Sequence, residues 1–252
     1  MDCRFDRAGF AQTGFAVVRG TVPAPLLAAL RAAVQRVQDA VHDLPPHLRE
    51  RLTLERDLPA AQRGGVAASE VGDAIFILGD PVAFDPVFWM LLDQPPLIAA
   101  ARAAVGVRDV AAHFMNVTIK HPRFGRAIGW HRDYPNGYAC PATLCFVRAM
   151  VCLDGMSGVG GATTFVPGSH RLRDDEAHGR SPPGDWRPAE AVTVGCDPGD
   201  LVLVHPKVLH GGGMNASASP RRNIVIQIGD AAVPLRHVPE QEAVAGHRLA
   251  AE

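Results

Sequence analysis

Two histidines and one aspartate carry most of the chemical information in this chain. His131-Arg132-Asp133 sets an imidazole and a carboxylate two residues apart. Side chains of an extended strand alternate between faces, so His131 and Asp133 would share one side. A second imidazole, His210, lies far downstream in His205-Pro-Lys-Val-Leu-His210-Gly-Gly-Gly. Two nitrogens and one carboxylate oxygen on one side of a metal leave the opposite positions open, the facial arrangement of non-haem Fe(II) oxygenases. The His-x-Asp spacing alone is common. A surface histidine and a turn-capping aspartate before Pro135 would read the same way, so the surroundings must decide.

The rival ligand is His205. An odd separation puts His205 and His210 on opposite faces of one extended strand, so at most one of them lines a site. His210 is favoured, because Gly211-Gly212-Gly213 lets the backbone turn tightly beside it. His205, before Pro206, reads as a packing or hydrogen-bonding residue at a strand end.

Arg221 opens the segment Arg221-Arg-Asn-Ile-Val-Ile-Gln-Ile. Read as a strand, one face carries Arg221, Asn223, Val225 and Gln227, and the other Arg222, Ile224, Ile226 and Ile228. The isoleucine face belongs in a packed layer, which turns Arg221 towards the metal. There a guanidinium can clamp a carboxylate with two parallel hydrogen bonds. A dicarboxylate such as 2-oxoglutarate would then chelate iron at one end and meet Arg221 at the other. The alternation of 113–120 likewise puts Asn116, Thr118 and Lys120 on one polar face that could serve the same co-substrate. The alternative for Lys120, beside His121-Pro122, is a strand-end charge in solvent.

These residues need strands to position them, and the chain supplies them. Residues 14–19 read as a strand, and Thr21 is expected to cap a helix over 23–42 with Leu26, Leu30, Val34, Val37 and Val41 as its apolar stripe. Residues 43–72 show no clean period and read as a loop with a little helix. A strand over 74–78 and helices at 84–92 and 96–105 follow. From Val110 the texture changes to strands over 110–120, 128–133, 143–153, 162–166, 191–194, 200–205 and 222–229, with Gly, Pro and Asp at the joints. Residues 171–190 read as a charged, solvated loop, and the tail after Asp230 as helix-prone or loose. The expected fold is mainly β: a jelly-roll core over about 110–230, a helical N-terminal part over about 1–109 packed on one sheet, and a tail over 231–252, all in one domain.

The totals narrow the function classes. The 252 residues are enough to bury a full core, and a formal net charge of −1 excludes a nucleic-acid or membrane partner held by bulk charge. No run approaches the roughly 20 apolar residues of a membrane span, and the first residues lack an apolar signal core. Cys3, Cys140, Cys145, Cys152 and Cys196 are odd in number and form no CxxC pair. They read as reduced thiols of a cytoplasmic protein.

Four blocks in order carry a resemblance: Gly129-Trp-His-Arg-Asp-Tyr-Pro, Gly160-Gly-Ala-Thr-Thr-Phe-Val-Pro-Gly-Ser-His-Arg, Gly199-Asp-Leu-Val-Leu-Val-His-Pro-Lys-Val-Leu-His-Gly, and Asn215 followed by Pro220-Arg-Arg. Over about residues 5–230 the chain resembles the phytanoyl-CoA dioxygenase family of Fe(II)- and 2-oxoglutarate-dependent oxygenases, which fold as a double-stranded β-helix. The resemblance implies that His131, Asp133 and His210 bind Fe(II), that Arg221 binds the far carboxylate of 2-oxoglutarate, and that O2 is consumed. It makes Pro167-Gly-Ser-His170 a structural turn near the site entrance. Related halogenases replace the carboxylate ligand by Gly or Ala, so Asp133 favours hydroxylation or a related oxidation. Members act on acyl-CoA, amino acids, alkaloids, antibiotics or phosphonates, so the substrate stays open, as does the oligomeric state. A small molecule, a metabolite with a carboxylate or a natural-product intermediate, is expected, met at the rim by Arg126, Arg132, Tyr134 and Arg148. Two other readings remain: a metal-dependent cupin enzyme that does not use 2-oxoglutarate, and a non-catalytic metal- or ligand-binding module.

Overall fold

Alternation along the long strands decides the architecture. The computed structural model describes residues 5–135, 139–182, 186–236, 238 and 242–250. Cys3, the middle of the 171–190 loop and parts of the tail fall outside the described residues. In chain order the strands are β1 (Phe15–Val18), β2 (Leu52–Leu54), β3 (Ile75–Gly79), β4 (Val110–Lys120), β5 (Ile128–His131), β6 (Cys140–Pro141), β7 (Phe146–Cys152), β8 (Thr163–Phe165), β9 (Val192–Thr193), β10 (Leu201–Val204), β11 (His210–Gly212), β12 (Arg221–Asp230), β13 (Leu235–Arg236) and β14 (His247–Arg248). A large sheet runs β1-β10-β7-β12-β4-β3-β2, and a small one runs β5-β11-β8-β9. From β4 in the large sheet the chain crosses to β5, returns to β7, crosses to β8 and β9, returns to β10, crosses to β11 and returns in β12. That path is a double-stranded β-helix.

Each large-sheet strand has an outer and an inner face. Val147, Ala149, Val151, Leu201, Leu203, Ile224, Ile226 and Ile228 join one apolar cluster with Leu26, Leu30, Val34, Leu97 and Ile98 of the helices Ala24–Asp39 and Pro95–Val105. Met150, Cys152, Val202 and Val204 point the other way, against Phe165 of the small sheet. Slipping β12 by one residue would move its three isoleucines into the inter-sheet space and its polar residues under the helices. The helix stripe and the strand alternation therefore agree on one register.

Several local expectations are corrected. The long N-terminal helix begins at Ala24 after Pro23 with no side-chain cap, and the Thr21 hydroxyl donates back to Val18 O at 3.2 Å, closing the strand-to-helix turn. The 43–72 segment contains β2, which pairs with β3. The tail is not helical where described, since β14 pairs with β4 and β13 with β6. His205 and His210 do not share a strand: β10 ends at Val204, Val208 N–H donates to His205 O across a turn, and β11 starts at His210 in the other sheet. Among the described residues no helix is long and apolar enough to cross a membrane.

Candidate metal centre

β5 and β11 run antiparallel with His131 directly opposite His210. Facing strand positions bring side chains to close range, and the two rings lie 4.2 Å apart between centroids. In each ring Nδ1 bonds the carbonyl two residues earlier, Gly129 O at 2.9 Å for His131 and Val208 O at 3.0 Å for His210. A carbonyl can only accept, so Nδ1 carries the proton and the Nε2 lone pair is left for a ligand role. Asp133 follows the end of β5, with Oδ2 3.8 Å from His210 Nε2. One ligand atom from each of the three residues falls within 4.8 Å of the other two. Arg132, between them, points the opposite way, as alternation requires.

The electrostatics suit a cation. Burial, then the neighbouring His210, push His131 down to about 4, so it is neutral at neutral pH. Burial would raise Asp133, but facing positive charge, that of Arg148 first, outweighs it and holds the carboxyl below its ordinary range. Neutral imidazoles and an ionised carboxylate are the protonation states a divalent metal needs. The donor set fits Fe(II).

The three residues lie on the wall of a cavity of about 260 Å³ between the sheets. Arg221 lines it from β12, paired across the ladder with Lys120, while Asn223 faces Thr118 and Val225 faces Asn116. Arg221 is 4% exposed and donates to Gly161 O at 3.0 Å. With the Asn223 amide turned so that its oxygen faces the guanidinium, that oxygen accepts from Arg221 Nη1 at 3.0 Å. Arg221 Nε and Asn116 Oδ1 are buried without hydrogen-bond partners among the described residues. Unsatisfied buried polar atoms on a cavity wall are what a bound polar molecule would satisfy. Burial pushes Arg221 down to about 10, still charged at neutral pH. Thr118 and Asn116 line the same cavity.

Other expected site residues are placed elsewhere. Lys120 is outside the cavity wall: its Nζ bonds Gly161 O and Gly213 O, and burial, then Arg221, push it down to about 6. Arg132 is buried with its guanidinium on Asp174, Ser169 O and Leu172 O, tying the 169–174 turn to β5. Arg126 is buried against Pro59 O, Gln62 and the Phe76 ring, with Glu55 3.9 Å away. Tyr134 is half-buried with its ring 6.3 Å from that of Phe146, off the wall. Of the four rim candidates only Arg148 lines the cavity. His170 lies beside His205, ring centroids 4.9 Å apart, away from the triad.

The motif blocks have local reasons. Ser169 Oγ accepts from Leu209 N at 2.8 Å, fixing the approach to His210. Asn215 Nδ2 donates to Lys120 O and Ser219 O, bracing the loop that leads into Arg221. Gly211 is favoured by close approach rather than by a turn, since a Cβ there would meet Ile128 O at 3.0 Å. Sequence reading missed Phe76, Ile77, Ile128, Met150 and Thr163 as wall residues. Thr163 had a signal in the Gly160-Gly-Ala-Thr block. The others are apolar strand residues that look like ordinary core.

Comparison with known proteins agrees with this geometry. The sequence model of the phytanoyl-CoA dioxygenase family matches residues 10–223. Dioxygenase FrzG of Cladobotryum sp is 31% identical over 180 residues, 65% of this chain and 56% of that protein, so the chain spans little more than half of that relative. Among solved structures, the epimerase SnoN in complex with Fe3+, alpha ketoglutarate and nogalamycin RO superposes with a TM-score of 0.69 at 22% identity, over 91% of this chain and 84% of that one. AviO1 from Streptomyces viridochromogenes Tue57 gives a TM-score of 0.66 at 26% identity, over 90% and 95%. The chain belongs to the phytanoyl-CoA dioxygenase family, whose members use Fe(II), 2-oxoglutarate and O2.

Proposed function

We propose that this protein is a dioxygenase that hydroxylates, or otherwise oxidises, a C–H bond of a small molecule while converting 2-oxoglutarate to succinate and CO2. One observation carries the reading: His131, Asp133 and His210 converge on a cavity that also holds the charged, incompletely satisfied guanidinium of Arg221. In this reading the triad holds Fe(II), which supplies the activation of the keto acid and of O2. His131 and His210 contribute Nε2, the nitrogen left without a proton in the tautomer that their Nδ1 bonds to backbone carbonyls select. Arg221 holds the distal carboxylate of 2-oxoglutarate, with Asn223 orienting the guanidinium and Thr118 and Asn116 offering a hydroxyl and an amide. Phe76, Ile77 and Ile128 form an apolar part of the wall that limits water and receives the substrate.

Succinate formation from 2-oxoglutarate tests the reading. The protein should produce succinate only with Fe(II) and O2, faster with a true substrate, and Asp133→Ala should abolish it. Metal binding without 2-oxoglutarate binding or succinate would instead favour the cupin reading. Arg221 has no evident role in that alternative.

A further inference from the structure

We propose that Arg148 is a positioning residue that confines Asp133 to one-oxygen ligation and so keeps a metal coordination position open for O2. This inference rests on the iron and 2-oxoglutarate reading of the site. Asp133 lies beyond the last ladder pair of β5, so no strand pairing sets its side chain. Arg148 comes from the middle of the large sheet, on β7 between Val204 of β10 and Gln227 of β12. It is 3% exposed, and its guanidinium lies 4.1 Å from the centre of the Phe114 ring. Cation–π stacking on a buried ring leaves it little freedom.

The two carboxylate oxygens of Asp133 face different partners. Oδ2 is turned to the imidazoles, 3.8 Å from His210 Nε2. Oδ1 is turned to Arg148, 3.4 Å from its Nε. A carboxylate can otherwise give a metal one oxygen or both. Six-coordinate iron with two imidazoles, a chelating keto acid and O2 has a single place left for the carboxylate. Were both oxygens of Asp133 bound, the sphere would fill before O2 arrived. A guanidinium engaging Oδ1 opposes that state, and groups behind metal ligands commonly set ligand orientation in this way.

The test counts water molecules on Mn(II), a spectroscopic substitute for Fe(II), by the broadening of its electron paramagnetic resonance lines in oxygen-isotope-labelled water. The parent protein without 2-oxoglutarate should show three exchangeable waters, and Arg148→Met should show two. Arg148→Gln, which also lacks the charge, should behave as Arg148→Met and serves if the latter does not fold. In the variants O2-dependent succinate formation should fall by about 10- to 100-fold, while anaerobic 2-oxoglutarate affinity shifts by less than about threefold. Three waters in a folded variant, or two in the parent, would overturn the proposal. A parent protein that binds no Mn(II) would instead overturn the metal-site reading beneath it.

Discussion

His131 and His210 face each other across two antiparallel strands, and each is held by its own backbone in the same way. In both, Nδ1 bonds the carbonyl two residues earlier, which leaves Nε2 free of the backbone. Rigid strands thus set both the ring positions and the tautomers before any metal arrives. A centre built on a strand pair is more precise than one built on loops. Asp133, two residues beyond the end of β5, has no ladder partner and lies beside Arg148 Nε, 3.4 Å from its Oδ1.

The two histidines of the Gly199–Gly213 block should separate in mutagenesis. His210→Ala removes one ligand of three, and Fe(II) affinity should fall by more than about 100-fold, since losses behind ligands already cost 10- to 100-fold. His205 packs beside His170 and accepts from Lys207 N at 3.1 Å. His205→Ala should therefore cost about 0.5–3 kcal/mol of stability and leave Fe(II) affinity unchanged. Calorimetric Fe(II) titration and thermal melts measure both, and an iron-binding His210→Ala would contradict the ligand assignment.

The adjacent arginines should also separate. Arg221→Ala should weaken 2-oxoglutarate binding by about 2–4 kcal/mol, roughly 30- to 1000-fold, with iron affinity little changed. Arg222 faces away from the cavity and clamps Asp154 with Nε and Nη2, both at 2.7 Å. Arg222→Ala should lower stability without touching the co-substrate. Equal losses of 2-oxoglutarate affinity in both variants would mean that the β12 faces are exchanged.

The C-terminal segment carries a pH-dependent element. Burial, reinforced by Asp80, pushes Glu242 up to about 7 from an ordinary 4.5. Between those values the folded protein holds a proton that the unfolded chain has lost, so this contribution to stability is full below about pH 4.5 and declines as pH rises through 7. Glu242→Gln keeps the shape and removes the titration. Relative to the parent it should gain stability between about pH 5 and pH 8, on the order of 1 kcal/mol once solvent screening of a partly exposed carboxyl is allowed for. Urea midpoints at the two pH values measure the gap, and a gap that does not widen with pH would exclude the role.

The site was legible in the sequence wherever strand alternation governs it. The isoleucines of β12 announced which way Arg221 would face, and the His131-x-Asp133 step announced a shared side. What alternation cannot show is where a long cationic side chain finds its partner. Arg126, Arg132 and Arg148 look alike in the sequence, yet Arg126 reaches Gln62 and Arg132 reaches Asp174, both in aperiodic segments, while Arg148 alone meets the cavity. The separation of His205 from His210 held for a different reason. The odd spacing assumes one extended strand, but the chain turns after Val204 and changes sheets before His210.

The most direct test of the central claim is the visible spectrum of the anaerobic protein with Fe(II) and 2-oxoglutarate. Chelation of Fe(II) by the keto acid should produce a weak metal-to-ligand charge-transfer band. The band should be absent with Zn(II), whose filled d shell cannot donate in this way. It should persist in Arg221→Ala at saturating 2-oxoglutarate, because that residue meets only the distal carboxylate. Bound iron with no band at any 2-oxoglutarate concentration would contradict the account.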